Sequence, residues 1–185
     1  LPPAAISGLQ AASRTAVTTI AADSGLDEAW RAGLVPDRVV GDLDSVDPDT
    51  LQQARAAGVS VDAYPRDKDR TDLAIALDMA MEHRPEAIWM FGGSGGRLDH
   101  LLGNAALLAA DTYAKVEITA WIGDARLHVI HGHREHPNML EGRIGELVSL
   151  LPFHGTVHGV TSTGLAFPLD RAQLDAGSSL GVSNR

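Results

Sequence analysis

The 185-residue chain contains no cysteine. Disulfides, thiolate zinc sites and cysteine nucleophiles are therefore excluded, and a reducing compartment such as the cytoplasm suits it. Long apolar runs are missing too: the most apolar stretch, Ala105 to Ala110, stops at Asp111. No segment has the length of a membrane span or the pattern of a signal peptide, so no membrane partner is expected. Positive charge is scarce, with 15 Lys and Arg against 24 Asp and Glu and a net charge of −9. A nucleic-acid partner would call for a basic face, and none is expected. Neither G-x-x-x-x-G-K-[ST] nor G-x-G-x-x-G occurs, so the chain has no P-loop and no dinucleotide fingerprint. Ser149 and Ser178 lack a G-x-S-x-G context, which leaves a hydrolase triad without support. The chain opens on Leu1 and closes on Asn184-Arg185, and both ends read as trimmed.

Against these absences stand three acidic clusters, each just after a short apolar run. They are Gly41-Asp42-Leu43-Asp44-Ser45, Asp67-Lys68-Asp69-Arg70-Thr71-Asp72 and Gly95-Gly96-Arg97-Leu98-Asp99-His100. Carboxylates at strand ends beside glycines and a few cations suit the holding of Mg²⁺ against a polyphosphate. An acidic protein can still take a polyanionic small molecule, because a bound metal inverts the local charge.

At 44% hydrophobic the chain is ordinary for a globular protein and long enough for one large domain or two small ones. The first sixteen residues are weakly patterned and are expected to be partly disordered. Strands are expected at Val17 to Ala22, Arg38 to Val40, Val59 to Ala63, Ala87 to Phe91 and Val116 to Ile122. Between them lie helical patterns at Leu26 to Ala32, from Asp47-Pro48 to about Ala57, after Thr71, and from Leu98 onward. Asp at a cap with Pro at the first helical position is a start signal. Leu73, Ala76, Leu77, Ala80 and Met81 follow helical spacing. Alternating strands and helices imply a parallel sheet covered on both faces, with ligands beyond the carboxyl ends of its strands.

After about Gly123 the helical periodicity disappears. Short β-type runs follow at Leu127 to Ile130, Glu146 to Leu151, Thr156 to Val160 and Leu165 to Phe167, punctuated by Gly and Pro. The fold class is therefore α/β: a Rossmann-like, mostly parallel domain over residues 1–122 and an all-β sandwich domain over 123–185.

Each cluster also has a plain structural reading. Asp42 and Asp44 can converge on one cation at a strand end, or form a solvated turn. Thr71 and Asp72 can cap a helix, and a helix start also turns N–H groups toward anions. Lys68 reads as exposed by default, but it can bind phosphate as a point charge. Gly92 to Gly96 is a turn rich in glycine; Arg97 after it offers a fork for phosphate oxygens. Asp99 and His100 serve equally as helix-start residues or ligand contacts, and His100 shares a helix face with Asn104. The tract His128, His131, His133 and His136 matches none of the common zinc spacings and reads instead as a strand, a turn at Gly132 and a polar loop.

Taken in order, Ala22-Asp23-Ser24-Gly25, Gly41-Asp42-Leu43-Asp44-Ser45, Lys68-Asp69-Arg70-Thr71-Asp72, Gly95-Gly96-Arg97-Leu98-Asp99-His100 with Asn104, Gly164 to Leu169 and Gly181-Val182-Ser183-Asn184 resemble the thiamine pyrophosphokinase family. The likeness runs from about Ala21 to Asn184. It implies conversion of ATP and thiamine to AMP and thiamine diphosphate, an α/β catalytic domain, a C-terminal β-sandwich, and a homodimer with active sites between subunits. By this resemblance Asp42, Asp44 and Asp72 hold Mg²⁺ and, with Arg97, carry catalysis. Asp23, Ser45, Lys68, Asp69, Thr71, Arg97, Asp99 and His100 line the ATP site, and Phe167, Ser183 and Asn184 lie near thiamine. Two departures stand out. Ser24 replaces a frequent second Gly, and Phe167 replaces the usual Tyr or Trp, which keeps a stacking face but loses the polar handle.

Overall fold

The computed structural model describes residues 1–94, 96–132 and 137–185. Two compact units divide the chain, Leu1–Val129 and Ile130–Arg185. Among the described residues no helix is long and apolar enough to cross a membrane.

In the first unit, strands β1 (Ile20–Ala22), β2 (Arg38–Gly41) and β3 (Ser60–Ala63) form a parallel sheet in that order. Ala22 lies opposite Val40, and Gly41 opposite Ala63. All three strands therefore end at one edge. The next residues in the chain are Asp23 after β1, Asp42 after β2 and the loop to Asp72 after β3. Strands β4 (Ala87–Phe91) and β5 (Glu117–Ile122) pair in parallel, and β6 (Ala125–His128) returns antiparallel to β5. Fully buried Val39 and Val40 face opposite sides of the first sheet. Val39 joins Leu26, Val46, Ala54 and Val59; Val40 joins Ile75 and Ala76. Each buried valine contributes about 1.5–3 kcal/mol, so both faces anchor the strand that carries Asp42.

Helices α2 (Gly25–Arg31), α3 (Pro48–Ala56), α4 (Asp72–Glu82) and α5 (Leu98–Leu108) cover these strands. Asp47 caps α3 by accepting the N–H groups of Asp49 and Thr50, both at 2.9 Å. Thr71 caps α4 through Ala74 N–H at 3.2 Å. Such caps each stabilise by about 1 kcal/mol.

Several sequence expectations are corrected. The first sixteen residues are not weakly structured: Pro3–Ser13 form a helix, α1. Proline at its first position and four alanines favour this helix. Its small residues hide the amphipathic pattern but allow close approach, so that a Cβ on Gly8 would come 3.2 Å from the Phe91 ring. That ring stacks on Trp121 with centroids 4.5 Å apart. Second, the run beginning near Leu127 belongs to β6, whose partner is β5 of the first unit.

In the second unit, β7 (Val157–Val160) pairs antiparallel with β8 (Ala172–Leu174), and Val148 bridges Asn184. Leu165 to Phe167 form no strand. The fold is thus mixed α/β, with a parallel sheet and further β pairings.

Candidate active site

Asp23, Asp42 and Asp44 each offer a carboxylate oxygen, and these atoms all lie within 4.8 Å of one another. Two unusual backbone conformations bring them together. Asp23 has φ 48° and Leu43 has φ 62°, both in the left-handed region. Asp23 N–H donates to Val40 C=O at 2.8 Å, which ties the end of β1 to β2. Asp44 N–H donates to Asp42 Oδ1 at 3.2 Å, and Ser45 Oγ donates to Asp44 Oδ1 at 3.0 Å. Asp72 stands beside the trio, across Gly41. A Cβ on Gly41 would lie 3.2 Å from Asp23 Cβ and 3.2 Å from Asp72 Oδ1, and Gly41 has φ 147°. Only glycine permits both that backbone and that approach.

Electrostatically the cluster is unbalanced. Like charges about 5 Å apart near a protein surface repel by roughly 3 kcal/mol per pair. Burial pushes the Asp23 carboxyl above its usual range; the Ser24 N–H opposes this, while the charges of Asp72, Asp42 and Asp44 add to it. Asp23 Oδ1 and Asp72 Oδ1 are buried without a hydrogen-bond partner. Lys68 Nζ forms an ion pair with Asp72 Oδ1 at 3.0 Å. Arg66 reaches Asp44 at 3.3 Å from an exposed position. Hard carboxylate oxygens, with Asp23 Oδ1 left without a partner, fit a divalent cation such as Mg²⁺.

The remaining candidates gather alongside. A cleft of about 310 Å³ is lined by Asp69, Arg70, Thr71, Asp99, His100 and Asn104, among others. His100 and Asn104 do share a helix face here, and Asn104 donates to Gly93 C=O at 3.4 Å. Gly92, Gly93 and Gly96 all have positive φ, as a tight turn into α5 requires; Gly95 lies outside the described residues. Arg97 does not stand free. Its guanidinium grips Asp99 at 3.2 and 2.5 Å and holds that carboxyl down at about 2. Lys68 is half-buried rather than exposed, because Pro65 C=O and Asp72 draw it inward. Arg70 donates to Ala74 C=O at 3.0 Å and to Asp78 at 2.6 Å, and Asp78 accepts the hydroxyl of buried Tyr113 at 3.0 Å. This chain of contacts ties the Lys68–Asp72 loop to the core. Sequence reasoning did not assign Arg70, nor Asp23 as a companion of Asp42 and Asp44. The signal for Asp23 was its place after a strand.

Of the histidine tract, the described members His128 and His131 join no such set. His128 is on β6, its Nδ1 3.1 Å from Thr119 Oγ1, and His133 and His136 lie outside the described residues. Among the described residues the aspartate trio is the group that could hold a metal ion.

Residues 9–120 match the thiamin pyrophosphokinase catalytic domain, and residues 128–185 match the thiamin pyrophosphokinase vitamin B1 binding domain. The chain belongs to the thiamine pyrophosphokinase family. A thiamine pyrophosphokinase of Bacillus subtilis (strain 168) is 32% identical over 165 residues, which is 89% of this chain and 76% of that protein. The crystal structure of a thiamin pyrophosphokinase from Geobacillus thermodenitrificans superposes with a TM-score of 0.71 at 34% identity, covering 90% of this chain and 75% of that one. A thiamin pyrophosphokinase from Candida albicans shares the fold, with a TM-score of 0.74 at 14% identity over 96% of this chain and 78% of that one.

Phe167, Ser183 and Asn184 fall in the second unit, within the match to the vitamin B1 binding domain. The Phe167 side chain is exposed, whereas Asn184 is buried. Ser183 has φ 57°, and its N–H donates to Ser149 Oγ at 3.1 Å.

Proposed function

We propose that the chain is a thiamine pyrophosphokinase: the primary hydroxyl of thiamine gives its proton to a carboxylate of the site and attacks the β-phosphorus of ATP, the bond from that phosphorus to the α-phosphate oxygen breaks, and AMP leaves. The observation that carries this reading is the trio Asp23, Asp42 and Asp44 beside Asp72, with a buried Asp23 oxygen that has no hydrogen-bond partner, in a member of this family. These four carboxylates would hold Mg²⁺. When bound, that ion would neutralise phosphate charge.

The protein's own residues supply positioning and charge, which dominate catalysis of phosphoryl transfer. Lys68, half-buried and already turned toward Asp72, sits where it can meet phosphate oxygens. Arg97 brings its fork from the end of the glycine turn, and Asp99 holds that fork in place. Ser45, Asp69, Thr71 and His100 line the nucleotide site, with the start of α4 favouring anions. Phe167 offers an exposed aromatic face to cationic thiamine, with Ser183 and Asn184 nearby.

The first unit reads as a Rossmann-like catalytic domain and the second as a β-sandwich that binds thiamine. Ile144, Leu147, Leu151, Val157 and Val182 are exposed apolar residues in that second unit. Such surface is what a sheet and a subunit interface bury, and it supports a homodimer with active sites between copies. Work in the cytoplasm fits a chain without cysteine.

AMP release from ATP tests the function, measured with thiamine, with a hydroxymethylpterin and with neither. AMP should form with thiamine alone. AMP with the pterin alone would assign a different alcohol, and nucleotide binding without AMP release would assign a non-catalytic module. Gly41→Ala should lower turnover by about tenfold or more, because the added methyl displaces Asp23 and Asp72 and small misplacements are costly. Steady-state kinetics on the folded variant check this.

A further inference from the structure

Asn184 is one of only two buried polar residues noted among the described part of the chain, at 4% exposure. Its backbone pairs with Val148 in both directions at 2.8 Å. Its side chain does something else. Oδ1 accepts the N–H of Phe167 at 3.0 Å and the N–H of Arg185 at 2.9 Å. Nδ2 donates to Phe167 C=O at 2.6 Å. A primary amide has two acceptor sites and two donors. Here both acceptor sites and one donor are taken, and the remaining donor belongs to a side chain closed off from solvent.

The pattern has a clear meaning. Phe167 receives from this one amide the same pair of bonds that a residue in a neighbouring strand would give it. Arg185 C=O extends the pattern by accepting Ala166 N–H at 2.5 Å. The segment around Phe167 forms no strand of its own, so Asn184 stands in for the missing strand partner. The Phe167 ring is left outside this clamp at 65% exposure. The left-handed backbone of Ser183, tied to Ser149, sets the turn from which Asn184 points. The orientation of the amide is fixed by its partners, since a flipped group would set donor against donor at Phe167.

We infer that Asn184 is a positioning residue that serves thiamine only through Phe167, and does not itself touch the substrate. This rests on the reading that Phe167 faces thiamine. An aromatic side chain on a pinned backbone loses less entropy when it stacks on a ligand, which is the general advantage of preorganisation.

A double-mutant cycle tests the inference, because residues that act through one another are non-additive. Wild type, Phe167→Ala, Asn184→Ala and the double variant are compared for KM of thiamine and KM of ATP. Phe167→Ala should raise the thiamine KM by roughly tenfold, as expected for loss of an aromatic–cation contact. Asn184→Ala should raise it severalfold, and the double variant should match Phe167→Ala alone. The ATP KM should stay level throughout. Multiplying effects would mean that Asn184 meets thiamine directly and would overturn the inference. So would an unchanged thiamine KM in Asn184→Ala. An unchanged KM in Phe167→Ala is a different result: it removes Phe167 from the thiamine site and takes the inference with it.

If Asn184→Ala does not fold, Asn184→Asp keeps the acceptor for the Phe167 and Arg185 N–H groups and sets a charged oxygen, in place of the donor, against Phe167 C=O. It should then raise the thiamine KM and speed amide exchange around Phe167 in the full chain. Unchanged exchange and an unchanged KM would reject the clamp.

Discussion

Asp42→Asn lowers turnover at least about a hundredfold, the scale seen when one preorganised electrostatic group is lost, while the fold stays intact. The substitution is nearly isosteric. Asp42 Oδ1 accepts Asp44 N–H at 3.2 Å, and an amide oxygen can accept the same bond. The strand behind it is fixed by Val39 and Val40, both fully buried. What disappears is one negative charge from a trio whose oxygens lie within 4.8 Å. Turnover under saturating ATP and thiamine, with thermal unfolding of the same preparation, checks both halves. Near-normal turnover would remove Asp42 from the metal set.

The second large effect concerns Asp23 and runs the other way for stability. Its carboxyl is raised above the ordinary value by burial, and the neighbouring carboxylates add to this. The folded state therefore holds the proton more tightly than the unfolded one. Stability from this group is present at low pH and is lost as pH rises from the ordinary carboxylate value through the raised one. At neutral pH the metal-free protein carries a strained charge there, and a divalent ion would relieve it. Asp23→Asn removes the charge, and Asn tolerates the left-handed backbone that Asp23 adopts at φ 48°. The metal-free variant should melt about 2–4 °C higher than wild type at neutral pH for each kcal/mol of relief. The gap should close as pH falls through the raised value of Asp23 toward the ordinary carboxylate range, and the Mg²⁺-induced rise expected of wild type should shrink or vanish. A variant that melts lower without metal and keeps the full Mg²⁺ response would contradict this account of Asp23.

Much of the first unit could be read from local signals. Asp47-Pro48 and Thr71 cap helices as their chemistry demands, and the apolar runs at Arg38 to Val40 and Ala87 to Phe91 are strands. Parallel pairing of β1, β2 and β3 then carries the clusters after β2 and β3 to one edge, as alternating strands and helices imply. What stayed hidden depends on partners distant in the chain. The helix Pro3–Ser13 is built of small residues whose fit to Phe91 and Trp121 has no periodic trace. Strand β6 has the composition of the later β runs, yet it pairs with β5. The closeness of Asp23 to Asp42 and Asp44 follows from Gly41, which lets the ends of β1 and β2 crowd together. Arg97 reads as a free phosphate fork, but only the folded turn reveals Asp99 in its grip. The Asn184 clamp is hidden for the same reason, since its partner lies 17 residues away.

The most direct measurement is a Mn²⁺ titration followed by electron paramagnetic resonance, in the presence of ATP. It compares wild type with a variant in which Asp23, Asp42 and Asp44 are all replaced by Asn. Wild type should withdraw the ion from solution in a protein-dependent step, and the triple variant, still folded, should leave only the ion held by free nucleotide. Equal uptake by both proteins would contradict a metal site built from these aspartates.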